Sequence, residues 1–205
     1  MKESGLWRAS APLVLASKSA ARQALLRSAG IPFEALAADI DERALQRELA
    51  SAQAEKIAAH LARAKALAVS SRRPDRLVVG ADQTLEFEGL TLTKPRDHQE
   101  ARAQLARFSE KTHRLHSALS VARASRVLFE ASSCATLTCR KLSADFIELY
   151  LAAAGPSVLS SVGAYQFEGL GIHLFSRMEG DQATILGLPL LDLLAFLRRE
   201  GSLAT

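Results

Sequence analysis

The stretch LVVGADQTLEFEG, residues 77–89, is the centre of the predicted fold. Its first three residues are apolar and predict a buried strand, and two small residues then lead to the carboxylate of Asp82. A second strand-like run follows and reaches a turn at Glu88 and Gly89. We therefore expect a buried strand that ends at Asp82, with a hairpin beyond it. An isolated Asp at such a place is usually only a turn residue.

Strand and helix patterns alternate on both sides of this stretch and predict a mixed α/β fold. Serines open the first predicted helix and Gly30 closes it. A capping box of Asp97 and Glu100 opens another helix, and a long hairpin is expected to turn near Ala124 and Ser125. The predicted helices cover 17–30, 51–73, 97–109, 143–155 and the Leu-rich tract 185–201. The predicted strands lie within 12–16, 31–42, 76–82, 84–95, 112–142 and the strand-and-loop segment 163–181.

Composition favours one globular domain. The chain has 205 residues, of which 48% are hydrophobic and 23% charged, so it can bury a core, and we expect residues 1–205 to form a single domain whose first eleven residues are flexible. The net charge is +4, but the 26 Lys and Arg are scattered among 22 acids, which argues against a dedicated nucleic-acid binder. A site for a small polyanion is compatible with this balance.

The N-terminus and the cysteines indicate a soluble cytoplasmic protein. Glu3 and Pro12 interrupt the N-terminal segment, which resembles neither a signal peptide nor a membrane anchor. Cys134 and Cys139 lie five residues apart, so that on a strand they face opposite sides, and they match no zinc or redox motif. We expect both to be reduced thiols in the core.

Several charged residues could bind phosphate. SKSAAR, residues 17–22, places hydroxyls, cations and the N–H groups of a helix N-terminus directly after a strand, an arrangement that attracts phosphate, although many helices begin with Ser. Lys94 precedes Pro95 and is expected in an extended segment, and Lys65 lies inside the long helix, where a solvated cation is the simpler interpretation.

The acidic run DIDE, residues 39–42, supplies oxygen ligands of the kind that Mg²⁺ or Mn²⁺ prefers, and Asp82 adds another. The alternative is a capped helix start. His113 and His116 would face opposite sides of a strand, so we reject them as a zinc pair. EGLG, residues 168–171, lacks the spacing of a dinucleotide-binding loop, and the chain has no P-loop motif.

Five segments in order together resemble the Maf proteins, which are nucleoside triphosphate pyrophosphatases first named for septum formation. The similarity runs from about residue 13 to residue 201. It implies an elongated, two-lobed, mixed-sheet domain of the inosine-triphosphatase type with a central nucleotide cleft. The segments are LVLASKSAARQALLRSAGIPFE, GADQTL, TKPRDHQEARAQLARFSEKTH, GAYQFEGLG and EGDQATILGLPL.

The resemblance also implies roles for individual residues. Asp82 falls on the proton acceptor of the family, and Ser17 and Arg22 match the Ser and the last Arg of its Ser-x-Ser-Pro-x-Arg motif. Glu42, Lys65 and Lys94 match polar residues that line the cleft. We expect Ser17, Arg22, Lys65 and Lys94 to bind phosphate, and Glu42 and Asp82 to bind the metal.

Base selection is implied at three further positions. Gln83 and Glu168 resemble the branch that acts on 7-methylated GTP, whereas Ala20 and Ala21 replace the Pro of the motif and the Arg or aromatic residue that follows it. Ala21 therefore predicts a broader pocket that lacks a stacking aromatic.

The expected reaction is metal-dependent hydrolysis between the α- and β-phosphates, which yields a nucleoside monophosphate and pyrophosphate and clears modified nucleotides. The expected cofactor is Mg²⁺, Mn²⁺ or Co²⁺, and the expected partner is a nucleoside triphosphate, with no stable nucleic-acid or membrane partner and with a homodimer left open. Two alternatives stay open at this point: a nucleotide-binding regulator of septation with little turnover, and a basic RNA- or DNA-binding module.

Overall fold

The computed structural model describes residues 5–49 and 52–205, and these form an α/β fold around one mixed seven-stranded sheet, as expected. The strand order is β2-β1-β3-β5-β6-β7, and β4 pairs with β3 beside this path. The strands are β1 (Leu13–Ala16), β2 (Phe33–Ala35), β3 (Val78–Phe87), β4 (Leu90–Leu92), β5 (Thr112–Arg123), β6 (Arg126–Cys139) and β7 (Phe175–Glu179).

Helices cover both faces of the sheet. The α-helices are α1 (Ala20–Ser28), α2 (Glu42–Glu48), α3 (Ala54–Ser70), α4 (His98–Phe108), α5 (Ala144–Ala154), α6 (Gln182–Ile185) and α7 (Leu190–Arg199). Short 3₁₀ helices lie at Gly155–Ser160, Val162–Ala164 and Leu170–Leu174. No helix of residues 5–49 and 52–205 is long and apolar enough to cross a membrane.

Strand β3 corrects one expectation. The two predicted strand segments are a single ten-residue strand, so Asp82 lies in the middle of β3 and not at its end. The reason is the pairing with β5, which continues without interruption from Val78 to Glu86 and so includes the residues before and after Asp82 in the chain. The hairpin beyond β3 is confirmed: Glu88 and Gly89 both have positive φ and connect β3 to β4.

The edge of β3 opposite β5 is interrupted. On this edge β1 pairs with β3 only as far as Gly80, and β4 pairs with it only from Leu85 onward. Residues 81–84 therefore have no strand partner on this side, and the sheet contains a gap four residues long next to Asp82. Backbone and side-chain groups around this gap can be reached from the edge of the sheet.

Alternate residues of β3 face two different environments. On one face, α3 crosses so closely that a Cβ on Gly80 would lie 2.1 Å from the carbonyl oxygen of Ala62. On the other face, two apolar clusters cover opposite ends of the strand. One contains Val79 with α1 and α7, and the other contains Leu85 with α4 and α5. Gln83 lies between these clusters.

The ends of the chain meet. Residues 1–4 of the expected flexible segment lie outside the described residues, but Trp7 forms an antiparallel bridge with Leu203, and the backbone N–H of Arg8 donates to Ser202. Trp7 packs beside the cluster that contains Leu203. The described part of the N-terminal segment is therefore held by the end of the chain.

The cysteine expectation is half wrong. Both cysteines are free thiols on opposite faces of β6, but only Cys139 is buried, whereas Cys134 is exposed. The even-numbered residues of β6 from Arg126 to Cys134 are all exposed, so Cys134 lies on a face of the strand that is open to solvent at this end. Two other expectations are confirmed: the long hairpin turns at Ala124 and Ser125, and the Asp97 side chain caps α4.

Candidate active site

An ion-pair cluster lies on the α3 side of the gap. The Lys65 ammonium is 2.6 Å from Asp82 Oδ1 and 2.9 Å from Glu42 Oε2. Lys65 is 6% exposed and Asp82 is 7% exposed, whereas the Glu42 side chain is about half exposed. Buried charged side chains are stable only when they are paired, and here the Lys65 ammonium fixes the position of the Asp82 carboxylate.

The close packing of α3 on Gly80 explains how Lys65 reaches Asp82. Lys65 follows Ala62 by almost one helical turn, and Asp82 follows Gly80 by two residues on the same face of β3. Any larger residue than Gly80 would push α3 away and separate the ammonium from the carboxylate. The glycine therefore serves the geometry of the site.

Only one member of the acidic run enters the cluster. Asp39 pairs with Arg72, and Asp41 caps α2 by accepting the N–H of Ala44. Glu42 begins α2 and turns toward Lys65. The capped-helix alternative thus holds for Asp41, while Glu42 is brought to the site.

A second cation lies at the end of β1. Arg22 is 8% exposed, and its guanidinium donates through Nη1 to the Ala81 carbonyl at 2.9 Å and to Ser17 Oγ at 3.2 Å. Ala81 lies in the gap, where β3 has no strand partner on this side. The Arg22 guanidinium therefore donates the hydrogen bond to the Ala81 carbonyl that a further strand residue would have donated. Burial lowers the pKa of Arg22, and the carboxylates of Asp82 and Glu42 oppose that change.

The start of α1 lies beside this guanidinium. Ser19, not Ser17, is the N-cap: its Oγ accepts the N–H of Arg22. Ser17 Oγ accepts the N–H of Ser19 and the Arg22 guanidinium. Ala21 is half-buried in the first turn of α1. The predicted phosphate-binding segment is therefore formed around a fixed arginine.

Two predicted site residues make no contact with this cluster. Lys94 is exposed two residues after β4 ends at Leu92, which pairs with Leu85 at the far side of the gap. Glu168 is exposed in the turn before the last 3₁₀ helix. Within residues 5–49 and 52–205, neither charged group has a hydrogen bond or ion pair, so both are available to a ligand.

Gln83 points to the other face of β3. Its Nε2 lies 3.0 Å from Ser117 Oγ, from the Thr184 carbonyl and from the Ile185 carbonyl. These contacts occupy the donor capacity of the amide, which has only two N–H groups. Gln83 is thus joined to α6 on the side of the sheet away from Lys65.

Sequence reasoning missed the residues that hold this second network. Gly187 accepts the Nε–H of Arg22 through its carbonyl at 2.7 Å, and Ser117 Oγ donates to the Thr184 carbonyl at 2.7 Å. Gly187 belongs to the quoted segment EGDQATILGLPL, but no role could be assigned to it from spacing alone. Ser117 had no signal, since a lone serine in a strand is common.

The carboxylates suit a divalent ion of the Mg²⁺ type. Asp82 and Glu42 both direct an oxygen at one cationic group, and Mg²⁺ is usually held by one or two carboxylates together with substrate phosphates and water. No cluster of three or more His, Cys, Asp or Glu suited to a metal occurs in the described ranges. The donor set therefore fits an ion that completes its shell with substrate oxygens.

Comparison with known proteins gives consistent matches over nearly the whole chain. A family model described as "Maf-like protein" matches residues 12–200. A nucleoside triphosphate pyrophosphatase of Nitrobacter winogradskyi is 56% identical over 97% of this chain and 98% of its own. A protein of the same name from Bradyrhizobium diazoefficiens is 50% identical over 98% and 99%. A 7-methyl-GTP pyrophosphatase of Brucella suis biovar 1 is 52% identical over 92% and 96%.

Proposed function

The chain belongs to the Maf-like protein family, and on that premise we propose that it is a nucleoside triphosphate pyrophosphatase, a hydrolase that releases a nucleoside monophosphate and pyrophosphate. The observation that carries the proposal is the position of Asp82, a buried carboxylate at a gap in the sheet with Lys65 and Arg22 on either side. A site that only bound nucleotide would need the cations but no base.

Asp82 is the proposed acceptor of the proton of the attacking water. Its Oδ1 is bonded to Lys65, and among the described residues its Oδ2 has no hydrogen-bond partner, so this oxygen can bind water at the gap. Attack on the α-phosphorus forms a new P–O bond, and the bond to the bridging oxygen of the β-phosphate breaks. The Lys65 ammonium, 2.6 Å from Oδ1, fixes the orientation of the carboxylate that we propose takes the proton.

The cations stabilise the charge that develops on the leaving group. Pyrophosphate gains negative charge as the α–β bond breaks, and fixed positive groups at that position lower the barrier. We assign this role to Arg22 and Lys65, with Ser17 supplying a hydroxyl and Lys94 closing over the phosphates from the exposed loop. Arg22 suits the role because its guanidinium is held by three oxygen acceptors before substrate arrives.

A divalent cation, Mg²⁺, Mn²⁺ or Co²⁺, is part of the proposal. Glu42 and Asp82 would hold it, and when bound it would polarise the water and the phosphate oxygens. The Lys65 ammonium now lies between these carboxylates, so the ion competes with it for the same oxygens. The phosphates of the substrate would offer Lys65 another partner in a complex that also contained the ion.

Base selection is assigned to Glu168 and Ala21. Glu168 offers an unpartnered carboxylate, which accepts hydrogen bonds from the N1–H and 2-amino groups of guanine. Ala21 leaves room beside the first turn of α1, consistent with a pocket for modified purines. Gln83 was the third candidate, but its amide N–H groups are already bonded to Ser117 and α6. A cytoplasmic location, which the N-terminal segment and the cysteines indicate, and a homodimer remain predictions.

Product analysis tests the proposal. The purified chain is incubated with GTP, 7-methyl-GTP, UTP and dTTP and with each of Mg²⁺, Mn²⁺ and Co²⁺, and pyrophosphate and orthophosphate are measured separately. We expect pyrophosphate in equal amount to the monophosphate, and no reaction in excess chelator. Orthophosphate with a diphosphate product contradicts the proposal, and binding without turnover supports the septation-regulator alternative instead.

A further inference from the structure

The turn after α6 is tied to the sheet at an unusual number of points. The Thr184 carbonyl oxygen accepts three hydrogen bonds: from Ser117 Oγ at 2.7 Å, from Gln83 Nε2 at 3.0 Å and from the N–H of Gly187 at 3.0 Å. Thr184 and Ser117 are both completely buried. A carbonyl oxygen has two lone pairs, so three donors on one oxygen mark a position that is tightly fixed.

The same turn ends at the arginine of the site. Gly187 follows Thr184 by three residues, has a φ of +92°, and accepts the Nε–H of Arg22 through its carbonyl at 2.7 Å. A Cβ on Gly187 would lie 3.2 Å from the guanidinium, so a side chain there would require the guanidinium to shift. The position of the Gly187 carbonyl therefore sets the position of Arg22 Nε.

We propose that Gln83 and Ser117 are positioning residues that fix the Arg22 guanidinium through the Thr184–Gly187 turn. The proposal rests on the proposed function, since it gives Gln83 a role in phosphate binding in place of base contact. Gln83 and Ser117 are opposite each other in the β3–β5 register, so they form one pair on the face away from Asp82. The pair connects the strand that carries the catalytic carboxylate to the loop that holds the phosphate-binding arginine.

A positioning role differs from a base-reading role in what it changes. Misplacing Arg22 should weaken binding of the phosphate chain whatever base is attached, because the proposed role of the guanidinium is to bind the phosphates. Losing a base contact instead changes the ratio between bases. Because Gln83 donates its hydrogen bonds to the α6 turn, we expect the first outcome, weaker binding of the phosphate chain for every base.

Ser117→Ala tests the proposal against a matched control on the same strand. Ser120 is also completely buried, but among the described residues its Oγ has no hydrogen-bond partner, so Ser120→Ala removes the same atom without breaking the network. We expect Ser117→Ala to raise the inhibition constant of inorganic tripolyphosphate by about threefold to tenfold, since the buried hydrogen bond that Ser117 donates to the Thr184 carbonyl is lost together with the acceptor for Gln83. The KM for GTP and for UTP should rise by the same factor, and Ser120→Ala should change neither constant.

Gln83→Met provides a second variant that keeps the length of the side chain and removes its donors. It should weaken tripolyphosphate binding more than Ser117→Ala does, and a variant with both changes should lose little beyond Gln83→Met alone, because the two residues act on one turn. Arg22→Lys combined with Ser117→Ala should likewise lose little beyond Arg22→Lys. Thermal unfolding of each variant separates a folding defect from a shift in binding.

Calorimetric binding of tripolyphosphate decides the proposal without any turnover. Unchanged tripolyphosphate affinity in folded Ser117→Ala and Gln83→Met would overturn it. So would a change in the GTP-to-UTP ratio with unchanged tripolyphosphate affinity, which would make Gln83 a base-reading residue. The proposed function fails by a different result, the absence of pyrophosphate release by the unmodified chain.

Discussion

The two faces of β3 give their polar side chains partners of different kinds, although Asp82 and Gln83 are neighbours in sequence. On the α3 face, Asp82 meets the charged groups of Lys65 and Glu42. On the α6 face, Gln83 meets only neutral partners, a hydroxyl and two carbonyls. Charges that can exchange partners suit a site that a substrate must enter, whereas fully bonded neutral groups suit a frame that must not move.

The same division continues along β5 in its two histidines. His116 bonds to the Glu86 carboxylate on the α3 face, while His113 lies buried on the other face with the Tyr165 hydroxyl 2.8 Å from its Nε2. Burial lowers the pKa of His113 to about 4, so this imidazole is neutral. The alternation of side chains along the strands thus places the ion-pair cluster and His116 on one face of the sheet, and the neutral network and His113 on the other.

The largest expected effect comes from removing the charge on the α3 face. Asp82→Asn keeps the size of the side chain but removes its basicity, and we expect turnover to fall by about 10² or more. Pyrophosphate release measures the loss. Asp145→Asn, a change at an exposed carboxylate in the first turn of α5, is the matched control and should leave turnover unchanged. Near-normal turnover in Asp82→Asn would return Asp82 to a structural role.

On the face of the sheet away from Asp82, the buried His113 should lower the free energy of unfolding in acid. The unfolded chain protonates His113 near its ordinary pKa of 6.5, whereas the folded chain does so only near 4. The native state therefore keeps its full stability above pH 6.5 and loses about 3 kcal/mol as the pH falls from 6.5 to 4. Denaturant unfolding at a series of pH values measures this.

The matched variants for this prediction are His113→Gln and His98→Gln. The first removes the buried imidazole, and the second removes an exposed imidazole at the start of α4. We expect His113→Gln to remove about one proton from the uptake on unfolding between pH 4 and 6.5, whereas His98→Gln should not. An unchanged pH dependence in His113→Gln would show that other groups set the acid limit.

Local sequence signals predicted most of the fold. The helix caps at Ser19 and Asp97, and the hairpin turn at Ala124, depend on neighbouring residues only. The continuation of β3 through Asp82 was not predictable, since it depends on pairing with β5. The first paired residue of β5, Arg114, lies 32 residues after Asp82 (114 − 82). Charge followed by strand-like sequence looks the same whether the strand ends or continues.

The candidate site also has a part that the sequence predicted and a part that it did not. The resemblance predicted a set of charged site residues, and the structure brings four of them, Asp82, Lys65, Glu42 and Arg22, to one gap. It could not predict that the Gln83 amide is already bonded to α6, because hydrogen bonds between residues about 100 positions apart leave no trace in local spacing. The neutral network is therefore the part of the site that only the structure supplies.

A smaller effect is expected from the cation between the carboxylates. Lys65→Gln removes the ammonium that competes with a metal ion, so we expect Mn²⁺ to bind the nucleotide-free protein about tenfold more tightly or better. Electron paramagnetic resonance of free Mn²⁺ measures this without turnover. Lys56→Gln, at an exposed position on the same helix, is the matched control. Equal Mn²⁺ affinity in Lys65→Gln and the unmodified chain would place the metal elsewhere.

The smallest expected effect concerns Glu168, the charged candidate carried by the loop on the otherwise neutral side. The 3₁₀ segment before this loop packs on Leu85, and Tyr165 and Phe167 join the apolar cluster there, so the loop is anchored while the Glu168 carboxylate stays exposed. An ionised carboxylate accepts two hydrogen bonds from guanine, whereas uracil and thymine present one N–H between two carbonyls.

Glu168→Gln therefore should raise the ratio of UTP or dTTP turnover to GTP turnover by about tenfold, the value of exchanging one charge-assisted hydrogen bond of roughly 1.5 kcal/mol. The positive charge of a 7-methylated guanine should make the loss for 7-methyl-GTP at least as large as the loss for GTP. Competition between the nucleotides in one reaction measures the ratios directly. Glu179→Gln, at an exposed carboxylate of β7, is the control. If all rates fall together while the ratios stay constant, Glu168 supports the turn at Gly169 and does not select the base.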